Sequence, residues 1–425
     1  MSQQMQKKSL INLITMNVYW LGLSFMWNSI HPIVLPAVLL HIVPETKKNT
    51  YLGLLTFVGL VIAMVIQPIS GAISDRLRSP IGRRRPLAIL GTSLDLVFIA
   101  LLAWSGNLFV IILGYVGLQL TSNIAHGPMQ ALIPDMVPDE QLGLASGLKN
   151  LLDMAGLIIA SLAAGALLMP EDRYPVLIMV VVMVLLIICS LVTFIFSRES
   201  TSMREDGDNA KFSLKQIFSI DLKTNSSYFW LILSRFLFLV GIYGVQTFAQ
   251  YYIRDVFQVI NPVKATGDLM ASLALSLVIC SLLGGWITDR IGARKVIYLA
   301  SVIAAVGAFL LIFASNLLML TLYAAVLGAG IGLYLSSNWA LASRLAPRAE
   351  AGMYLGLTNL ATAGASALSK LGGIPIDIIN NAYPGKFYGY SGLFFLGGLF
   401  SIISMLLLKN IKERPIQKTN HKRIA

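Results

Sequence analysis

Charge is what this sequence has least of. Asp, Glu, Lys and Arg make up only 12% of its 425 residues, against roughly 25% in soluble domains. So few ionisable side chains cannot clothe a water-facing surface of this size. With 56% hydrophobic residues and a mean hydropathy of +0.75, the remaining surface is expected to face lipid. Cysteine is nearly absent: Cys189 and Cys280 both lie in apolar runs, which excludes a disulfide framework and a cysteine metal site. The four histidines, at 31, 41, 126 and 421, are too dispersed to suggest a metal cluster. No glycine-rich phosphate loop ending in Lys-Ser/Thr, no His-Glu-x-x-His and no Gly-x-Ser-x-Gly occurs. An enzyme, an ATP-driven pump, a cofactor and a bound metal are therefore not expected.

What is present is a succession of apolar runs, each long enough to cross the roughly 30 Å hydrocarbon layer as a helix. Twelve helices are predicted, over 10–40, 51–74, 87–104, 108–132, 143–168, 174–197, 228–253, 265–288, 296–315, 317–343, 352–379 and 388–408. Lys7 and Lys8 precede the first run, which is too long for a cleavable leader and reads as a membrane helix. The fold expected is an all-α integral membrane protein of two six-helix bundles. The bundles span 1–197 and 228–409, with a polar linker at 198–227 and a tail at 410–425. If the N-terminus is cytoplasmic, 23 of the 32 Lys and Arg residues fall on the cytoplasmic side. The positive-inside rule then places both termini inside, in a cell membrane. It also accounts for the net charge of +12 without a nucleic-acid partner.

The chain repeats itself. Gly71-Ala-Ile-Ser-Asp75-Arg76 at the end of helix 2 recurs as Gly285-Trp-Ile-Thr-Asp289-Arg290 at the end of helix 8. Each copy is followed by a glycine and a basic cluster: Gly82-Arg83-Arg84-Arg85 and Gly292-Ala293-Arg294-Lys295. The two aspartates are 214 residues apart, half the chain. Parallel duplicated halves are a transporter architecture. A carboxylate at a helix C-terminus opposes the macrodipole and needs a partner, such as Arg76 or a neighbouring helix N-terminus. Gly71, Asp75, Arg76, Gly82, Arg83, Asp289 and Arg290 are thus candidates for a conformational latch. The alternative is that the arginines, Arg84 and Arg85 among them, merely hold the loop inside.

These loops resemble the major facilitator superfamily, although five residues, Leu77 to Ile81, separate Arg76 from Gly82 in the first copy where Ile291 alone separates Arg290 from Gly292. Within it, Gln67-Pro68 to Arg85-Pro86, together with Asn123-Ile-Ala-His-Gly127-Pro128-Met-Gln-Ala131-Leu132-Ile-Pro-Asp135, is similar to the sucrose/proton symporters. It is likewise similar to the glycoside–pentoside–hexuronide group. The resemblance implies alternating access by a monomer, with helices 1, 4, 7 and 10 lining a central cavity and helices 6, 9 and 12 facing lipid.

Polar side chains recur at helical spacing on the four helices named. Helix 1 carries Asn17, Trp20, Ser24, Asn28 and His31; helix 4 carries Gln119, Asn123, His126 and Gln130. Helix 7 has Arg235, Tyr243, Gln246 and Gln250, and helix 10 has Tyr334, Asn338 and Trp339. Helix 11 adds Asn359, Thr362, Ser366, Lys370 and Asp377. Polar groups in lipid are expensive and mark functional paths. Asn28, Gln119, Asn123, His126, Tyr243, Gln246, Gln250, Asn338 and Trp339 are the candidate substrate-binding residues. Their amides and rings suit a neutral, hydroxyl-rich small molecule; the bland alternative is that single amides only join helices.

Asp153, Lys149, Asp95 and Arg235 are the candidates for coupling to protons; Lys149 and Asp153, at i and i+4, could equally form a static pair. Lys370 and Asp377 read as a gate or an interfacial pair. Two departures bear on coupling. Sucrose-type relatives place an acid where Gln119 stands, and helix 2 has no acid above Asp75. Symport, facilitated diffusion and exchange therefore all remain open. The first expectation is a transporter of a sugar or glycoside, with membrane lipid as its surroundings. The alternative is an exporter of drugs or lipid-like amphiphiles.

Overall fold

A computed structural model describes residues 7–197, 225–346 and 351–411. Most of the expected linker and tail lie outside them. Among the described residues every regular element is helical. Lipid offers no hydrogen bonds to a bare backbone, so each segment must satisfy its own amides.

Helix α1 runs Leu10–Ser29, widens into a π turn at Ile30–Val34 and resumes as Leu35–Leu40. Pro32, inside that turn, lacks the amide proton an α-helical ladder needs. Then follow α2 (Lys48–Arg76), α3 (Arg85–Ala103), α4 (Leu108–Met136), α5 (Leu142–Leu167) and α6 (Val176–Phe196). The second half has α7 (Ser226–Phe257), α8 (Pro262–Ile291), α9 (Ala293–Ile312) and α10 (Leu317–Leu345). It closes with α11 (Ala351–Lys370), α12 (Gly373–Ala382) and α13 (Tyr388–Leu407).

Eleven helices among the described residues are long and apolar enough to cross a membrane. The eleventh predicted crossing, 352–379, is instead two helices broken at Leu371 and Gly372. Gly372, Gly373 and Pro375 favour a break, and Asn359, Thr362, Ser366 and Lys370 lower the hydropathy of α11.

The repeat extends to the caps. Asn107 accepts the amide of Val110 to start α4, and Asn316 accepts that of Met319 to start α10, each a helix of 29 residues. Packing repeats as well: α4 lies on α2 and α3 as α10 lies on α8 and α9. Helices α6, α9 and α13 expose Ile188, Leu191, Val302, Val306 and Phe395, as aliphatic lipid-facing helices should.

The end bearing the α2–α3 and α8–α9 loops is here the basic end, and the opposite end is the far end. The halves touch most along α5–α8 and where α2 meets α11 and α12. Gly267 of α8 sits so close to α5 that a Cβ there would lie 2.4 Å from the Ser161 carbonyl oxygen. Only glycine permits that approach. Gly267→Leu should therefore force α5 from α8 and lengthen the distance between spin labels on the α1–α2 and α7–α8 loops. An unchanged distance would show that this contact does not set the far-end closure.

Candidate functional site

Three polar groupings stand out, of which the first joins the two halves and the other two lie within them. The first seals the far end. Asp377 of α12 accepts the backbone amide of Thr50 at 2.7 Å and the Asn49 amide at 2.8 Å. Thr50 lies in the first turn of α2, whose own N-cap, Lys47, makes no capping bond. A carboxylate from the second half thus caps a helix of the first, where free amides and the macrodipole both favour an anion. Around it, Lys48 donates to Asp255 at 2.7 Å and pairs with Glu45, and Arg254 pairs with Glu45 at 2.7 Å. Tyr390 donates to Asp255 at 2.7 Å, and Tyr251 to the Pro36 carbonyl at 3.1 Å. Lys370 and Asp377 do not pair with each other: the break after Lys370 turns them apart, and Lys370 donates to Thr247.

The second grouping holds the basic end. Asp75 pairs with Arg84 at 2.5 Å rather than with Arg76, which is exposed. Arg84 also reaches Asp135 of α4 at 2.7 Å, and Arg83 reaches the same carboxylate at 2.6 Å. Arg84 is 4% exposed. Burial pulls its pKa down, but the carboxylates of Asp135 and Asp75 outweigh that and hold it above its ordinary value. In the second copy Asp289 pairs with Arg344 of α10 at 3.3 Å, and Arg290 lies over the Trp286 ring. Asp135 and Arg344 occupy the same position in their helices. Both copies keep the acid that ends α2 or α8 (Asp75, Asp289) paired with an arginine. That arginine comes from the loop in the first copy and from α10 in the second, where α4 carries an acid instead. Gly82 and Gly292 both have positive φ, 102° and 94°, which turns each loop back beneath its helices. Gly71 lies beside Gly127 of α4. These contacts lie within a half, not across the interface.

The third grouping lies between. His31, in the π turn of α1, places Nε2 2.9 Å from the Tyr115 hydroxyl; Gln119 donates to that hydroxyl at 2.7 Å. Trp27 stacks on the His31 ring. Nearer the basic end, Lys149 of α5 lies over the Trp20 ring, 3.9 Å from its centroid. The His126 ring meets Trp20 edge-on, and Gln130 reaches His126. In the second half Arg235 donates through Nε to Thr362 at 2.9 Å and through Nη1 to Asn338 at 2.8 Å.

Other predicted residues sit differently. Asn123 turns back to the Gln119 carbonyl and Asn28 to that of Ser24, so both amides serve their own helices here. Asp95 is fully buried between α3 and α4, accepting only from Thr121. Lys149 and Asp153 form no ion pair within 4.0 Å; the Asp153 backbone carbonyl instead accepts from Ser24, joining α5 to α1. Gln246 lines an apolar recess with Leu273, Leu327 and Phe394. Tyr243 is half-buried and Trp339 is exposed. Gln250 is buried, and neither end of its amide has a partner. Sequence reasoning passed over Tyr115, Trp27, Asn49, Glu45 and Asp255. The clustering of Glu45, Lys47, Lys48, Arg254 and Asp255 at helix ends otherwise poor in charge was the available signal for the seal.

Two outcomes follow from this geometry. Asp377→Asn should weaken the cap by about 1–2 kcal/mol and shift the balance roughly five- to thirtyfold toward an open far end. Labelling of a Gln250→Cys reporter by an impermeant maleimide should rise accordingly; an unchanged rate would remove the cap from the seal. Asp135→Asn, which strips two arginines of a carboxylate, should lower thermal stability by about 1.5–3 kcal/mol. Asp75→Asn should cost less stability yet impair transport with normal insertion, and wild-type transport rates would remove Asp75 from the latch.

The profile of the Major Facilitator Superfamily matches residues 10–370 and 263–424. The chain is 24% identical to the multi-drug resistance efflux pump PmrA of Streptococcus pneumoniae, over 85% of this chain and 88% of that protein. It is 25% identical to the sucrose transport protein SUC3 of Arabidopsis thaliana, over only 33% of this chain and 30% of that one. Its fold is similar to that of a bacterial homologue of the human lysosomal transporter Spinster, solved in an inward-facing, occupied conformation. The TM-score is 0.75 at 14% identity, covering 95% of this chain and 98% of that one. A profile matched along most of its length makes this chain a member of the Major Facilitator Superfamily.

Proposed function

We propose that this protein is a secondary transporter that moves a small, polar, hydroxyl-bearing solute across a cell membrane by alternating access. The observation that carries the reading is the asymmetry of the interface. The polar seal joins the halves at the far end, while side chains suited to binding lie below it on α1, α4, α5, α7 and α11. With the basic end in the cytoplasm, as the Lys and Arg distribution supports, the seal would lie on the outer side and the binding side chains would be reached from within. Transport then requires the seal to part and the basic-end loops to close, each half moving largely as a body.

Rings of Trp20, Trp27 and Tyr243 beside hydroxyl and amide groups suit a glycoside, whose sugar faces stack while its hydroxyls bond. Asp153, half-buried and free of an ion pair with Lys149, is the group proposed to carry a proton. The second reading, export of amphiphiles, is favoured by the similarity to an efflux pump over most of both chains.

Uptake into proteoliposomes separates the two. Labelled neutral and acidic mono- and disaccharides and a fluorescent amphiphilic dye are offered with and without an imposed pH gradient. Accumulation of any sugar above equilibrium only with the gradient establishes proton-coupled transport, which Asp153→Asn should abolish. Movement of the dye alone would replace the sugar reading with the exporter.

A further inference from the structure

The charges along the path do not balance. Lys149, Arg235 and Lys370 project from α5, α7 and α11, and none has a carboxylate within 4.0 Å. Lys149 has the Trp20 ring, Arg235 has Thr362 and Asn338, and Lys370 has Thr247. The carboxylates of the described helices are committed elsewhere. Asp255 and Asp377 belong to the seal, Asp75, Asp135 and Asp289 to the basic-end loops, and Asp268 to Lys264. Asp95 is enclosed between α3 and α4. Asp153 remains, on the same helix as Lys149 and one turn from it, so the three cations outnumber the uncommitted carboxylates among the described residues.

A cation held away from bulk water in a membrane is costly unless it is paired. Lys149, about 10 Å into α5 at 1.5 Å per residue, can extend toward the basic end. Arg235 has no such escape. It lies about 14 Å into α7, is only 6% exposed, and is fixed from two sides by neutral oxygens. A guanidinium has five N–H donors in a planar fork. Thr362 and Asn338 take one from Nε and one from Nη1, leaving three without an acceptor among the described residues. Those two partners orient the fork without neutralising it.

We infer that the transported solute carries an anionic group, a carboxylate or phosphate, which docks on the free N–H groups of Arg235, while Lys149, at a similar depth on α5, adds positive charge along the path. The inference rests on the transporter reading above and narrows its substrate from a neutral glycoside to an acidic one. A planar fork matches two oxygens of a carboxylate or phosphate, and such bidentate bonds are strong. The neutral groups around it, Tyr243 and Tyr334 among them, are left for the uncharged remainder of the solute.

Matched pairs of probes test it on the purified full-length protein in liposomes. Glucose is compared with glucuronate and with glucose 6-phosphate, and 4-methylumbelliferyl glucoside with its glucuronide. The acidic member of at least one pair should be taken up roughly tenfold or more faster than its neutral partner. Arg235→Gln should erase that preference. Arg235→Lys, which keeps the charge and loses the fork, should retain part of it. Because the preference is read first on the wild type, the test stands even if a variant folds poorly. Neutral members moving as fast as acidic ones, or a preference surviving in Arg235→Gln, would overturn the inference and leave the transporter reading intact. Failure of both members of every pair to move would overturn the hydroxylated-solute reading and this inference with it.

Discussion

The contact on which the closed far end depends is a helix cap supplied in trans. A helix N-terminus always presents amides without intrahelical partners, and in a membrane protein they cannot be left bare. Helix α2 brings no cap of its own, and Asp377 of the other half fills the place. Because the donor and the acceptor belong to different halves, the bond would be lost if the halves parted at this end. A cap costs a few kilocalories at most, which suits a seal that must open. The neighbouring ion pairs of Lys48, Arg254, Glu45 and Asp255 share this property.

The basic end is built on the opposite principle. Its ion pairs, Asp75–Arg84, Asp135 with Arg83 and Arg84, and Asp289–Arg344, each stay inside one half. They shape the loops that would meet when that end closes. The duplication preserved the acid that ends α2 and α8 and its pairing with an arginine, while the arginine's place in the fold changed from the loop to α10. The macrodipole favours a cation at a helix C-terminus, so Arg344 at the end of α10 suits its place better than Asp135 at the end of α4, which relies on Arg83 and Arg84.

Between these ends the side chains divide into those that join helices and those left with capacity to bind. Asn123, Asn28 and Asn338 spend their amides on backbone or on Arg235. His31, Lys149, Arg235 and Lys370 hold charge or hydrogen-bonding capacity that their neighbours do not exhaust. The path is accordingly more cationic than a list of its polar residues suggests.

Much of this was determined by the sequence alone. The scarcity of charge, the length of the apolar runs and the 214-residue repeat specify a duplicated bundle of membrane helices, because lipid admits few other solutions. The lipid-facing helices and the polar stripes follow from the same solvent constraint. Periodicity gives the face on which a side chain lies, but not its partner. Gln119, Asn123 and His126 share a face of α4, yet Tyr115 takes one, the α4 backbone another and Gln130 the third. The break at Leu371 that separates Lys370 from Asp377, and the pairing of Asp75 with Arg84 rather than its neighbour, were decided by tertiary structure. Such choices depend on which helices approach within hydrogen-bonding distance, and that distance is set by the packing of the whole chain.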